Sequence, residues 1–215
     1  MPRASANKLP TDFAKNVFIN CPFDEEYLPL FRAVIFTVHD MGFSARCALE
    51  ASNAAKVRID KIQEIIAESK YSIHDLSRTQ LDGIYKLPRF NMPFELGLDL
   101  GCKRFGKRHE REKVILIMDV ERFRYQKFIS DISGQDIYAH DGSHRLVINQ
   151  VRDWLRPHLN PEKVVIPSGT EIQARFRTFK RDLPTISSRL RWNPKRLNFV
   201  DYVYAVANWI SENPL

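Results

Sequence analysis

Two hydrophobic rhythms alternate along the first two thirds of the chain. The run Asn16-Val17-Phe18-Ile19-Asn20 is short and apolar, and it is closed by Cys21-Pro22-Phe23-Asp24, which predicts a strand followed by a loop. Leu30, Phe31, Val34, Ile35 and Val38 then recur at helical spacing as far as Met41-Gly42, after which Phe43-Ser44-Ala45-Arg46-Cys47-Ala48-Leu49 predicts a second strand. Ile59, Ile62, Ile65 and Ile66 mark a second helix. Tyr71-Ser72-Ile73-His74-Asp75-Leu76 predicts a third strand ending in the polar cluster Asp75, Ser77 and Arg78. A connection over 79–90, rich in turn formers and charge, delivers the chain to a helix that opens near Asn91. Lys113-Val114-Ile115-Leu116-Ile117-Met118-Asp119 predicts a fourth strand, 123–132 a short helix or lid, 136–140 an edge strand, and 144–156 a helix with Val147, Val151, Trp154 and Leu155 inward.

Strands that alternate with helices imply parallel neighbours, because parallel strands need crossover connections. Five strands predict an α/β, flavodoxin-like three-layer sandwich with a mostly parallel sheet in the order 2-1-3-4-5. Its topological switch point lies between strands one and three, and ligands bind there outside the carboxyl ends. The loop 21–24, the cluster 75–78 and the helix carrying Glu95 are expected to converge at that point. The α/β rhythm ends near residue 158, and Phe199, Val203, Ala207 and Ile210 predict one terminal amphipathic helix whose stripe is covered by the domain, a partner or a second copy of the chain. The expected organisation is a loose leader over 1–15, a nucleotide- or nucleoside-binding α/β domain over 16–157, and a basic, mainly helical extension over 158–215.

Charge and cysteine content narrow the classes. The formal charge of +7 is concentrated in a block over 175–196 that holds Arg177, Lys180, Arg181, Arg189, Arg191 and Lys195, interleaved with Phe176, Phe179 and Trp192. Two readings of that block stay open, a nucleic-acid surface and a solvated basic face over buried aromatics, the second being the commoner arrangement. No apolar run approaches the ~20 residues that cross a bilayer, and 1–15 has no apolar signal core, so a cytoplasmic protein without membrane contact is expected. The cysteines, Cys21, Cys47 and Cys102, are odd in number and far apart, which suits a reducing compartment. There is no CxxC, HExxH, P-loop or GxGxxG pattern, so the expected chemistry uses no metal and no bound cofactor.

The most informative stretch is Asn91-Met92-Pro93-Phe94-Glu95-Leu96-Gly97-Leu98-Asp99-Leu100-Gly101. Asn91 is a candidate N-cap and Pro93 suits the first turn, which places Glu95 about one turn into the helix. An acid there complements the helix dipole, by about 0.3–1 kcal/mol, and position alone favours that plain role. Its apolar flanks, Phe94, Leu96, Leu98 and Leu100, instead point to a desolvated carboxylate with a raised pKa. With Asp75 as a second carboxylate and amide or hydroxyl groups from Asn20, Ser77 and Asn91, the set suits an oxocarbenium-like transition state at a sugar anomeric carbon. The competing account is that Asp75 caps a loop at a strand end.

These residues carry a resemblance. Phe94-Glu95-Leu96-Gly97-Leu98-Asp99-Leu100-Gly101, followed by a basic spacer and Val114-Ile115-Leu116-Ile117, resembles the segment of nucleoside 2-deoxyribosyltransferases that holds the nucleophilic glutamate before the last core strand. Phe18-Ile19-Asn20-Cys21-Pro22-Phe23 resembles their first strand and Gly-Pro-Phe turn, and Ile73-His74-Asp75-Leu76-Ser77 their third strand with its substrate-binding aspartate. The same order resembles TIR domains, in which a glutamate on a comparable helix cleaves NAD, and the whole resembles a bacterial branch of that superfamily. The likeness spans roughly residues 16–119. Cys21 stands where the transferases carry glycine, and Asn91-Met92-Pro93 replaces their Gly-rich approach. The resemblance implies that Glu95 is the catalytic nucleophile or oxocarbenium stabiliser and that Asp75 contacts the nucleoside, with Asn20, Cys21, Pro22, Phe23, Ser77, Arg78 and Asn91 binding substrate.

The expected function is an N-glycosidic bond hydrolase or (deoxy)ribosyl transferase acting on NAD, a nucleotide or a nucleoside, NAD entering as substrate. Arg46, Arg58 and Arg78 are the candidates for a phosphate. The alternative is a non-catalytic nucleotide-sensing or interaction module in bacterial defence or signalling, and self-association of the chain is compatible with both. A Glu95 ion-paired to Arg78 or Arg89 favours sensing. A Glu95 free in a pocket beside Asp75 favours the enzyme.

Overall fold

Parallel strands cannot be joined by tight turns, and the chain meets that constraint with a crossover after each strand. The computed structural model describes residues 12–50, 55, 57–79 and 89–215. Strands β1 (Asn16–Asn20), β2 (Ser44–Arg46), β3 (Tyr71–Asp75), β4 (Val114–Asp119) and β5 (Ile137–Ala139) form one sheet in the order β2-β1-β3-β4-β5, with every neighbouring pair parallel. This is the flavodoxin-like order, with the reversal between β1 and β3. Helices α1 (Leu28–Asp40), α2 (Arg58–Ala67) and α3 (Asn91–Phe105) make the first three crossovers, and two 3-10 turns, Arg124–Lys127 and Ser130–Ile132, make the fourth. Helices α4 (His144–Leu155), α5 (Gly169–Arg189) and α6 (Phe199–Glu212) follow.

The pleat sends successive strand side chains to opposite faces. Val17, Ile19, Ile73, Leu116 and Met118 enter one large apolar cluster with α1, α4, α5 and α6. Phe18 and Ile117 enter two smaller clusters, with Ile62, Ile65 and Ile66 of α2 and with Met92 and Leu96 of α3. The inner faces predicted for α1 and α2 are the buried ones, except that Ile59 is only half-buried.

Several boundaries differ from the sequence expectations. Helix α3 begins at Asn91, with Phe90 in the cap position and no side-chain cap, so Asn91 is not the N-cap. The tail holds two helices. The basic block hides α5, whose Ile172, Phe176, Phe179 and Leu183 lie on one buried stripe, and Phe176 and Phe179 pack on Phe36 of α1. Those two rings are core and present no stacking surface to a nucleic acid; only Trp192 of the interleaved aromatics lies outside the core, against Tyr204. In α6 the buried face is Phe199, Tyr202, Ala205, Val206 and Trp209, while Ala207 is exposed, because the large rings of Tyr202 and Trp209 set the inward direction. Arg175 bonds the Asp40 carboxylate at 2.9–3.2 Å and so ties α5 to the end of α1. Near the N-terminus, Phe13 is buried and its ring meets His109 edge-on. Of the leader, 1–11 lies outside the described residues, as does most of the 79–90 connection. Among the described residues no helix is long and apolar enough to cross a membrane.

Because α5 and α6 complete the cluster over α1, Phe179→Ala is expected to cost about 3–5 kcal/mol in urea unfolding. Lys180→Ala, one position away and exposed, is expected to change stability by less than about 0.5 kcal/mol.

Candidate active site

Asn20 and His74 are register partners at the carboxyl ends of β1 and β3, so their side chains leave the same face of the sheet, towards α3. The Asn20 amide Nδ2 lies 3.0 Å from His74 Nδ1 and donates to the Met92 carbonyl at 2.9 Å. A carbonyl only accepts, so that second contact fixes the amide orientation and makes His74 Nδ1 an acceptor. His74 Nε2 therefore carries the proton and donates it to Asp99 Oδ2 at 2.9 Å. Asp99 Oδ1 faces the Lys113 ammonium at 3.2 Å, and Lys113 also donates to the carbonyls of Ile66, at 2.7 Å, and Ser69. Burial raises the Asp99 carboxyl, but the His74 bond and the Lys113 charge more than reverse this and hold it below the ordinary aspartate value. The contacts form a ring that leaves α3 at Asp99, passes through β3 and β1, and returns to α3 at Met92.

Glu95 lies between those two anchors and one turn before Asp99. It is 6% exposed and lines a cavity of about 230 Å³ together with Asn20, Cys21, Pro22, Phe23, Asp24, Arg58, Arg89, Asn91 and Met92. Its carboxylate makes no hydrogen bond or ion pair with any described residue. Desolvation pushes its pKa up from 4.5 to about 7, against a smaller opposing effect of the Arg58 charge. Arg78 is paired instead with Asp24, at 3.2 Å, and with Glu26; Arg89 is paired with Asp24 at 3.3 Å; and Arg46 is paired with Glu50 and Glu68. Burial first, and then the Asp75, Cys47 and Glu95 charges, keep the Cys21 thiol protonated.

Asp75 is not in this cavity, contrary to expectation, and neither are Ser77 and Arg78. The reason is the pleat: His74 faces α3, so its neighbour Asp75 faces the other side of the sheet, where α1 lies. There Asp75 is fully buried and accepts from Tyr27 Oη at 2.6 Å, His140 Nε2 at 2.9 Å, the Ser77 amide at 2.8 Å and the Ser77 hydroxyl. Burial raises its carboxyl, and these donors, led by His140, bring it below the ordinary value. Ser77, His140 and Asp75 are the residue types of a nucleophilic triad in a different arrangement. His140 Nδ1 accepts from the Gly142 amide at 3.0 Å, and Ser77 and Asp75 both lie at Nε2, so the serine is not activated by a base that the aspartate orients. Asp75 thus clamps the loops that follow β1, β3 and β5.

The second carboxylate lining the cavity is Asp24, from the turn after β1. His74, Asp99 and Lys113 were missed; the signals were a histidine between two apolar strand positions and an aspartate four residues after Glu95 in an apolar helix face. The segment 123–132 borders a different recess at β5, with Phe123 and Tyr125 beside Tyr138, and does not cover Glu95. No family model, no curated protein and no solved structure matches the chain.

Glu95 has a folded-state pKa above its unfolded value, so ionising it costs the folded state stability as pH rises from about 4.5 towards 7. At about 1.4 kcal/mol per pH unit that cost approaches roughly 3 kcal/mol. Glu95→Gln is therefore expected to stabilise the protein by about 1–3 kcal/mol at pH 8.5 relative to its effect at pH 4.5 in denaturant unfolding. Lys113→Met, which removes the cation facing Asp99 Oδ1 and leaves the buried carboxylate with its His74 bond, is expected to cost roughly 3–5 kcal/mol at pH 7 and less at pH 4, where Asp99 then protonates.

Proposed function

We propose that this protein acts on N-glycosidic bonds, as a hydrolase or a (deoxy)ribosyl transferase of NAD, a nucleotide or a nucleoside, with Glu95 as the group that meets the ribosyl carbon. The observation that carries this reading is a buried carboxylate with no partner among the described residues, lining a cavity at the switch point of the sheet. A structural acid at a helix start is ordinarily exposed or bonded to a donor; Glu95 is 6% exposed and has no donor among the described residues.

In this reading the neighbours take the following parts. Ionised Glu95 either attacks C1′ or lies against it as the base departs with the bonding electron pair, and its desolvation makes the charge more effective against a developing oxocarbenium ion. Asn20 Nδ2 is engaged by His74 and Met92, so Asn20 offers the cavity its carbonyl oxygen, an acceptor for a sugar hydroxyl. Asp24, held by Arg78 and Arg89, is a second acceptor. Pro22 and Phe23 supply an apolar wall, Phe23 resting edge-on against Phe31. Drug-sized ligands fill about 300–1,000 Å³. At about 230 Å³ the cavity suits a ribosyl ring and its immediate substituents, with the rest of a larger substrate outside.

Incubation with NAD and a panel of nucleosides and nucleotides, followed by chromatography of released base, tests the proposal. Glu95→Gln is expected to lower release at least about 100-fold. Because the ionised form reacts, kcat/KM is expected to rise with pH to a plateau above about 7. Equal release by wild type and Glu95→Gln contradicts the assignment.

A further inference from the structure

Four arginines, 46, 58, 78 and 89, surround the carboxyl ends of β1, β2 and β3, and three of them are neutralised. Arg46 bonds Glu50 at 2.6–2.9 Å and Glu68 at 3.3 Å; Arg78 pairs with Asp24 and Glu26; Arg89 pairs with Asp24. Arg58 makes no hydrogen bond or ion pair with any described residue, although it lines the Glu95 cavity and is near enough for its charge to act on Glu95 and Cys47. It is exposed and is the first residue of α2, whose cap residue Val57 supplies no side-chain acceptor. The same mouth holds the start of α3, where Phe90 is equally unable to cap. Two helix starts without a side-chain cap and a guanidinium fork without a carboxylate among the described residues therefore meet at one cavity whose buried acid also has no partner among them.

The geometry points to Arg58 as a phosphate-binding residue, which makes the substrate class a nucleotide bearing a 5′-phosphate and not a free nucleoside. This rests on the proposed reading of the cavity as a ribosyl site. A ribosyl ring with C1′ at Glu95 carries its 5′ substituent away from the base, and a guanidinium fork matches phosphate oxygens in a way that no neutral sugar hydroxyl does. Arg89 sits at the same mouth already paired with Asp24, so it offers a weaker second positive edge. Arg58 binds and orients; it takes no part in breaking the bond.

The test uses full-length protein carrying Glu95→Gln, so that ligand binds without turnover, and titrates it calorimetrically with adenosine, inosine, cytidine and uridine and with their 5′-monophosphates. At least one monophosphate is expected to bind about 10- to 100-fold tighter than its nucleoside. Adding Arg58→Gln is expected to erase that difference while leaving nucleoside binding unchanged, and Arg58→Lys to restore part of it. In wild type, Arg58→Gln is expected to raise KM for the monophosphate with kcat little changed. Equal affinity for nucleosides and monophosphates, an equal loss of both in Arg58→Gln, or no binding by either class overturns the inference. Base release from nucleosides without phosphate preference overturns it and leaves the glycosidic reading intact. Arg58-dependent discrimination with no base release by wild type does the reverse.

Discussion

The buried carboxylate of Asp99 is the contact on which the arrangement of this molecule depends. It sits on α3, accepts from His74 of β3 and faces the ammonium of Lys113 at the entrance to β4. Through His74 it reaches Asn20 of β1, whose amide returns to α3 at Met92. A helix packed only by apolar contacts can rotate or slide by small amounts at little cost; one tied at two points a few residues apart, through two adjacent strands, cannot. The residue between those ties, on the same face, is Glu95. The ring therefore sets where Glu95 points, and its buried charges are stable only because each has a partner.

Against that background Glu95 is the exception. Asp40 has Arg175, Asp75 has Tyr27, Ser77 and His140, Asp99 has His74 and Lys113, and Asp119 has Arg124. Each of those carboxylates is buried and answered. Glu95 is buried and makes no hydrogen bond or ion pair with any described residue, which costs the fold stability at neutral pH and leaves a free carboxylate where the sheet topology favours a ligand. The two networks divide the labour across the sheet: the Asp99 ring fixes α3 on one face, and the Asp75 cluster fixes the loops on the other. The proposed chemistry uses what remains free at the mouth, namely Glu95, the carbonyl oxygen of Asn20 and Arg58.

The strand order was legible because each crossover leaves a rhythm change, and β1 carries enough β-branched and aromatic residues to show both of its ends. Glu95 stood out because Phe94, Leu96, Leu98 and Leu100 flank it in sequence, although Phe94 is exposed and none of the four lines the cavity. Asp75 was misplaced because its partners Tyr27 and His140 lie 48 and 65 residues away in sequence, although the pleat already implied that Asp75 and His74 face opposite sides. Helix α5 was hidden because its outward positions are crowded with arginine and lysine and Pro184 interrupts it, so the stripe of Ile172, Phe176, Phe179 and Leu183 emerges only when it is set against α1. The Asp99 ring could not be read at all, since it depends on Lys113 reaching back under α2.

The most direct measurement is the titration of the Glu95 carboxyl carbon by NMR in protein labelled with ¹³C at the glutamate side chains, the signal being assigned by its loss in Glu95→Gln. An unpartnered, desolvated carboxylate held by the Asp99 ring titrates near pH 7. A midpoint near 4.5, the ordinary value for glutamate, would mean that Glu95 is solvated or paired, and would contradict the account.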